Sequence, residues 1–422
     1  MQEFNNVFNS TYRDIILQQE VKVYYKIEIL DHYEYILSGV TDLISSETSG
    51  SISVNYQQGV RRTCTFTLLD RDGSITNQIA GLQWATKKFK IYIGVSYVGE
   101  DSDIYWFSQG IFCMLNPTIN RTSRQITIQG VDKYGFLGSE TGYNQIAVTH
   151  RIPQNEPLVK IITDTLSLDL KNGRIIDAKQ PIINPYIKNQ KLPYELDKAP
   201  GSYLSELFIE LGNVFAADTY YDVEGHLHYD TGTLDLFYST QASQWDFTDI
   251  LADYIDPELT IMSVEAINSV TIVGNNTNME KIYQYTAENN NPASPTSIKN
   301  IGLKSYYEET ASVYDDDTAR DYANYVLSQK SILQQSISFN CTIIPHLDVN
   351  KIITITDEFY KFSQQRFIVQ SLEIPLTANT AMTVTASNIS SLPYYDTSNT
   401  YSSSDRRDSY SDKKYNGNTN TK

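Results

Sequence analysis

The segment Tyr105–Leu137 constrains the fold more than any other part of this chain. Gly110–Leu115 follows a Trp-Phe pair and reads as one strand. Gln125–Gly130 reads as a second, because Ile126 and Ile128 point one way and Thr127 and Gln129 the other. The chain then leaves through Val131-Asp132-Lys133-Tyr134. A weaker echo stands at Ser363–Ser387, with a Ser-Gln pair, one Phe and the same alternation. Its spacing differs by one residue, Phe112 to Ile126 against Phe367 to Met382. Two copies of one strand unit in a single chain suggest a duplicated β-domain. Such a chain can build a ring with twice as many modules as subunits.

Composition narrows the function classes. A chain of 422 residues has room for about two to four domains and can bury a large core without staples. Cys64, Cys113 and Cys341 form no CxxC pair, and Cys64 and Cys341 sit at alternating apolar positions, as small buried hydrophobes do. The net charge of −17, with no dense Lys/Arg cluster, argues against gripping nucleic acid. The start, MQEFNNVFNSTYRD, has no apolar h-region, and no apolar run approaches the roughly 20 residues that span a bilayer. The 32 tyrosines suit β-structure and wet interfaces, although an AT-rich genome would leave the same bias.

The predicted fold class is mainly β with an α+β insertion. Residues 1–140 form a first β-domain. Val21, Val23, Tyr25, Ile27 and Ile29 alternate with polar neighbours, and further strands are predicted at Ile52–Tyr56, Thr63–Leu69, Phe89–Val95, Gly110–Leu115 and Gln125–Gly130. Six short strands favour a closed barrel or sandwich. Residues 141–235 form an α+β domain. Pro157 opens one helix, Ser202 caps a second that Gly212 ends, and Asp222–Gly225 turns a hairpin. Residues 236–392 form a second β-domain with one helix, which Asp315-Asp316-Asp317 cap. Residues 393–422 are a polar low-complexity tail that cannot fold alone.

No constellation of catalytic residues stands out. His226 and His228 fall on one strand face near Asp222, Glu224 and Asp230, a candidate metal pair that lacks a third ligand at diagnostic spacing; a solvated hairpin is the simpler reading. Asp315–Asp317 reads as helix capping. Asp70–Gly73 reads as a turn, since Leu82 stands where an EF-hand needs glutamate. No GxSxG, HExxH or GxxxxGK[ST] occurs. The predicted protein is therefore not an enzyme, and no catalytic, cofactor or metal residue is assigned. Two alternatives stay open: a glycan-binding β-protein using Trp84, Trp106 and Trp245, and a metal hydrolase with zinc at His226 and His228.

Gly110–Phe112, the following hairpin and the Val131–Tyr134 exit resemble the first barrel of phage tail hub proteins, meaning baseplate hubs and the structural N-terminal part of tail-associated lysins. The order that follows is similar too: the helix Ser202–Leu211, Asp222–Tyr229, Ile267-Asn268-Ser269-Val270, Ala319–Ala323, Ile337–Ile343, Pro345-His346-Leu347, Lys351–Thr356 and Arg366–Ser387. The resemblance spans residues 20–390. It implies two related tube-type β-barrel domains per chain, and a homotrimer forming a pseudo-sixfold ring in which Gly110–Gly130 and Arg366–Ala386 occupy corresponding places. Such a ring adapts the hexameric tail tube to a threefold tip or spike. It encloses a channel for DNA and the tape-measure protein, with tail tube or distal tail ring proteins as neighbours. The implied location is the virion's tail tip or baseplate. No peptidase or lysozyme-like domain is expected after Leu392, and an acidic lumen would let DNA pass without specific binding.

Overall fold

A computed structural model describes residues 10–18, 21–38, 49–57, 59–81, 87–96, 104–140, 145–167, 176–177, 179–215, 217–230, 242–249, 254–262, 266–274, 282–292, 294, 296–310, 313–331, 334–377 and 380–388. The tail 393–422, Trp84 and Leu82 lie outside them. The chain is mainly β, with large antiparallel sheets and a few helices.

Six strands make the first module: β1 (Lys22–Leu30), β2 (Ser49–Asn55), β3 (Arg62–Leu69), β4 (Lys88–Ser96), β5 (Tyr105–Met114) and β6 (Gln125–Asp132). Their order across the sheet is β1-β4-β5-β6-β3-β2. Alternation did specify the faces: Ile27 and Ile29, Cys64, Phe66 and Leu68, and Ile126 and Ile128 are all buried. β5 is not a plain strand. Its register against β4 shifts between Ile91–Gly110 and Tyr92–Ser108, and Gly110 takes φ 137°, which a side chain would strain.

The second module repeats this plan. Its strands are β7 (Asp246–Thr248), β8 (Ile255–Met262), β9 (Gln334–Cys341), β10 (Ile352–Asp357), β11 (Phe362–Pro375) and β12 (Met382–Asn388). Their order is β7-β10-β11-β12-β9-β8, the first module's order strand for strand. One difference is that β7 runs parallel to β10, whereas β1 runs antiparallel to β4. The registers superpose closely. Met114 faces Gly130 as Val369 faces Ala386, and Cys64 faces Gly130 as Ile337 faces Ala386. Phe112 thus corresponds to Phe367, Phe66 to Phe339 and Ile126 to Met382. An irregularity follows at the same place in both, between Met114 and Thr118 and between Val369 and Ser371. The one-residue difference in spacing falls in the turn after Asn120 and Pro375, outside the paired positions.

The two modules share one hydrophobic core, to which the N-terminal helix Ser10–Ile16 adds Tyr12, Ile15 and Ile16. Two insertions carry their own cores. Residues between Tyr134 and Tyr229 pack the helices Leu158–Leu166 and Leu204–Val214 against the hairpin Asp218–Tyr221 and Leu227–Asp230. Tyr203, not Ser202, occupies the N-cap of Leu204–Val214, and no side chain bonds there. Gly212 lies inside that helix, where a Cβ would meet the Ala217 carbonyl at 2.8 Å. Between β8 and β9, the helix Asp316–Lys330 lays Ala319, Ala323, Val326 and Leu327 on the sheet Gln284–Glu288, Ser269–Gly274, Ser305–Thr310. Asp315 caps that helix, its carboxylate accepting from the Thr318 amide at 2.6 Å while Thr318 Oγ1 accepts from the Asp315 amide at 3.0 Å.

If Phe66 and Phe339 hold equivalent places in the common core, Phe66→Ala and Phe339→Ala will each lower unfolding stability by about 3–5 kcal/mol in urea titrations. Asp315→Ala will remove only about 1 kcal/mol.

Candidate functional site at the module joint

β2 does not stay within its own module. One edge pairs with β3, and the other pairs antiparallel with the end of β11, Asn55 opposite Ser371 through Ser51 opposite Pro375. Tyr56 N donates to Gln370 O at 2.7 Å, and Leu376 N donates to Gly50 O at 2.8 Å. The two modules therefore form one continuous sheet. The joint buries Ile52, Val54 and Ile374 completely. The predicted Pro345-His346-Leu347 segment lies beside it. Gln109 Nε2 donates to the Pro345 carbonyl at 2.8 Å, Leu347 enters the core, and Tyr12 Oη lies 2.7 Å from His346 Nδ1. Burial pulls the His346 imidazole down to about 4, so it sits neutral between the modules. The Arg62 guanidinium reaches Asp348 on the same segment.

The Val131–Tyr134 exit organises a second contact, between the first module and the α+β insertion. Asp132 accepts from the amides of Arg61 (2.8 Å), Arg62 (2.9 Å) and Tyr134 (2.9 Å). Burial pushes its carboxyl up to about 6, against the pull of those donors and of Arg62. Lys133 enters a buried cluster, bonding Glu34, Asp177 (2.9 Å) and the Gly225 carbonyl (2.7 Å). Glu34 also meets Lys88 at 3.1 Å and Lys179 at 3.0 Å, and Tyr221 Oη donates to Asp177 at 2.8 Å. The turn ending at Gly225 needs its glycine. Its φ is 82°, and a Cβ would meet Ile111 at 2.8 Å and Lys133 at 3.2 Å. Ser108 Oγ bonds the Val223 carbonyl and Lys90 bonds Glu224, so the hairpin rests on β4 and β5.

The other residues singled out by sequence scatter. His228 pairs with Asp222 at 2.9 Å and stacks on Tyr220, whereas His226 Nδ1 lies 3.0 Å from the Gln180 carbonyl. Each imidazole thus has a protein partner of its own. Among the described residues no group of three or more His, Cys, Asp or Glu is placed to hold a metal ion. Asp70 accepts from the amides of Ile75 and Thr76 as the turn leads into the helix Ser74–Ala80. Trp245 is core, 1% exposed, with Arg13 above its ring; Trp106 on β5 is 36% exposed. Cys64, Cys113 and Cys341 are buried thiols. No described helix is long and apolar enough to cross a membrane. Sequence reasoning missed Glu34, Asp177 and the Arg61-Arg62 pair. The only signal was two adjacent arginines opening an alternating strand.

Burial alone would raise the Glu34 carboxyl, but Lys133 and Lys88 hold it down at about 2. A folded value below the ordinary 4.5 means that the stabilisation is complete above about pH 4.5 and lost as pH falls toward 2. Asp132, raised in the fold from 3.8 to about 6, acts with the opposite sign, its contribution lost as pH rises between those values. Chemical denaturation from pH 7 to 3 will show wild type losing its advantage over Glu34→Gln below pH 4.5. Lys133→Met, which removes the lysine paired with buried Asp177 and one of the three paired with Glu34, will cost roughly 3–5 kcal/mol at pH 7.

Comparisons with known proteins bear on the fold. A family model described as a domain of unknown function, DUF5048, matches residues 290–410. No curated protein is significantly similar in sequence. Among solved structures, the chain is similar to a tail protein from Neisseria meningitidis MC58 (TM-score 0.57, 9% identity, 86% of this chain and 96% of that one). It is also similar to the 43 kDa tail protein of prophage MuSo2 from Shewanella oneidensis (TM-score 0.53, 10% identity, 87% and 98%). A chain of the Francisella PdpA-VgrG complex aligns with 92% of this chain over 55% of its own length (TM-score 0.51, 11% identity). Over most of its length, then, the chain shares the fold of these two tail proteins.

Proposed function

We propose that this chain is the structural hub of a phage or phage-like tail tip or baseplate. Three copies form a pseudo-sixfold ring that adapts the hexameric tail tube to a threefold tip or spike and encloses the channel for DNA and the tape-measure protein. One observation carries this reading: two modules with the same six-strand order, joined edge to edge in one sheet. Each chain supplies two near-equivalent units, so a ring of chains shows twice as many modules as subunits, while the insertions repeat once per chain. The number three comes from the resemblance to tail hubs. The fold shared with two tail proteins, one of them from a prophage, over nearly their whole lengths supports the same setting.

The role is scaffolding rather than chemistry. The net charge of −17 suits a channel that lets phosphate pass without holding it. Native mass spectrometry of the purified chain is expected to give three chain masses, and electron microscopy of purified tails a threefold density below a sixfold tube. A strictly monomeric chain absent from purified tails would sink the proposal.

A further inference from the structure

We infer that the subunits join by strand pairing that repeats the internal joint: the outer edge of β8 in one copy adds antiparallel to Asn116–Asn120 of the next. This rests on the ring proposed above and names its interface. The correspondence of modules fixes the register. β2 corresponds to β8 through their pairing with β3 and β9: Ile52 faces Cys64 as Leu259 faces Ile337, and Val54 faces Arg62 as Ile261 faces Gln335. The end of β11 corresponds to Asn116–Asn120 through β12 and β6: Glu373 faces Thr383 as Thr118 faces Thr127. Replacing β2 on β11 by β8 on its neighbour therefore sets Thr118 opposite Thr260, Ile119 opposite Leu259 and Asn120 opposite Glu258.

Three observations agree with this pairing. First, among the described strands both edges are open: β8 pairs only with β9, and Thr118–Asn120 only with β6. Open edges of this kind invite another strand. Second, apolar side chains that the internal joint buries have exposed counterparts here. Val54 and Ile374 are 0% exposed, whereas Ile261 is 54% and Ile119 37% exposed. Third, the ends match in charge. Exposed Arg121 and Arg124 follow the acceptor edge, and antiparallel pairing brings them toward exposed Asp256 and Glu258. Pro117 stands where Leu372 does in the internal joint. Having no N–H, it leaves this ladder one bond shorter. Each chain offers one donor and one acceptor edge, so the contact is head to tail, the kind that the proposed ring requires.

Mixing a Thr118→Cys variant with a Thr260→Cys variant under mild oxidation will give a disulfide-linked pair of chains on a non-reducing gel. Neither variant alone will, and a mixture of Thr118→Cys with Ile261→Cys, whose side chain points to the other face, will give far less. Separately, Ile261→Asp will convert the ring to monomers that keep the wild-type circular dichroism spectrum and still unfold cooperatively. A trimer by native mass spectrometry that shows no Thr118–Thr260 link and survives Ile261→Asp overturns the joint and leaves the hub reading standing. A wild-type chain monomeric at every concentration overturns both.

Discussion

The antiparallel pairing of β2 with the end of β11 is the constraint on which the rest of the architecture hangs. Without it, two similar strand arrangements would sit side by side as separate domains. With it, their sheets run on as one, and their inner faces fill one core from Ile27 to Ala386. The joint is short, but it is backed by elements that belong to neither ladder. The helix Ser10–Ile16 presses Tyr12 on His346, and Arg62 reaches across to Asp348. Polar groups at such a boundary hold one relative placement of the modules, because a slip would leave buried charges unpaired.

The buried cluster around Lys133 plays the same part for the α+β insertion. Its members come from three separate stretches: Glu34 after β1, Lys133 at the end of β6, and Asp177 in the insertion. Lys88 and Lys179 complete the neutralisation of Glu34. Such a group adds little net stability compared with apolar packing, yet it penalises any other docking of the insertion strongly. The insertion is thereby fixed against β4 and β5 rather than hung on a linker.

The sequence made the modules legible wherever one face of a strand is wet and the other dry. Ile126 and Ile128, or Phe66 and Leu68, announce their faces by alternation alone. Duplication was visible through Phe112 and Phe367, because both positions feed the same core. The joint itself left no local trace. Nothing in Ile52 or Val54 says that the covering strand lies three hundred residues on. Glu34 and Asp177 were equally silent, since a lone carboxylate in an acidic chain resembles every other until a buried lysine meets it. Ser202 misled because a hydroxyl before an apolar run resembles a cap, whereas this helix starts one residue later, at Leu204, after Tyr203. Pattern reads periodic burial well and reads pairing between distant segments poorly.

The joint also sets an order of events during synthesis. β2 emerges from the ribosome early, while its partner Ser371–Pro375 follows roughly three hundred residues later. At roughly 5–20 residues per second, β2 waits on the order of tens of seconds with that edge uncovered. Throughout that interval the nascent chain carries an unfinished sheet, whose open edge is a template for another strand, and the late arrival of β11 is what ends the exposure.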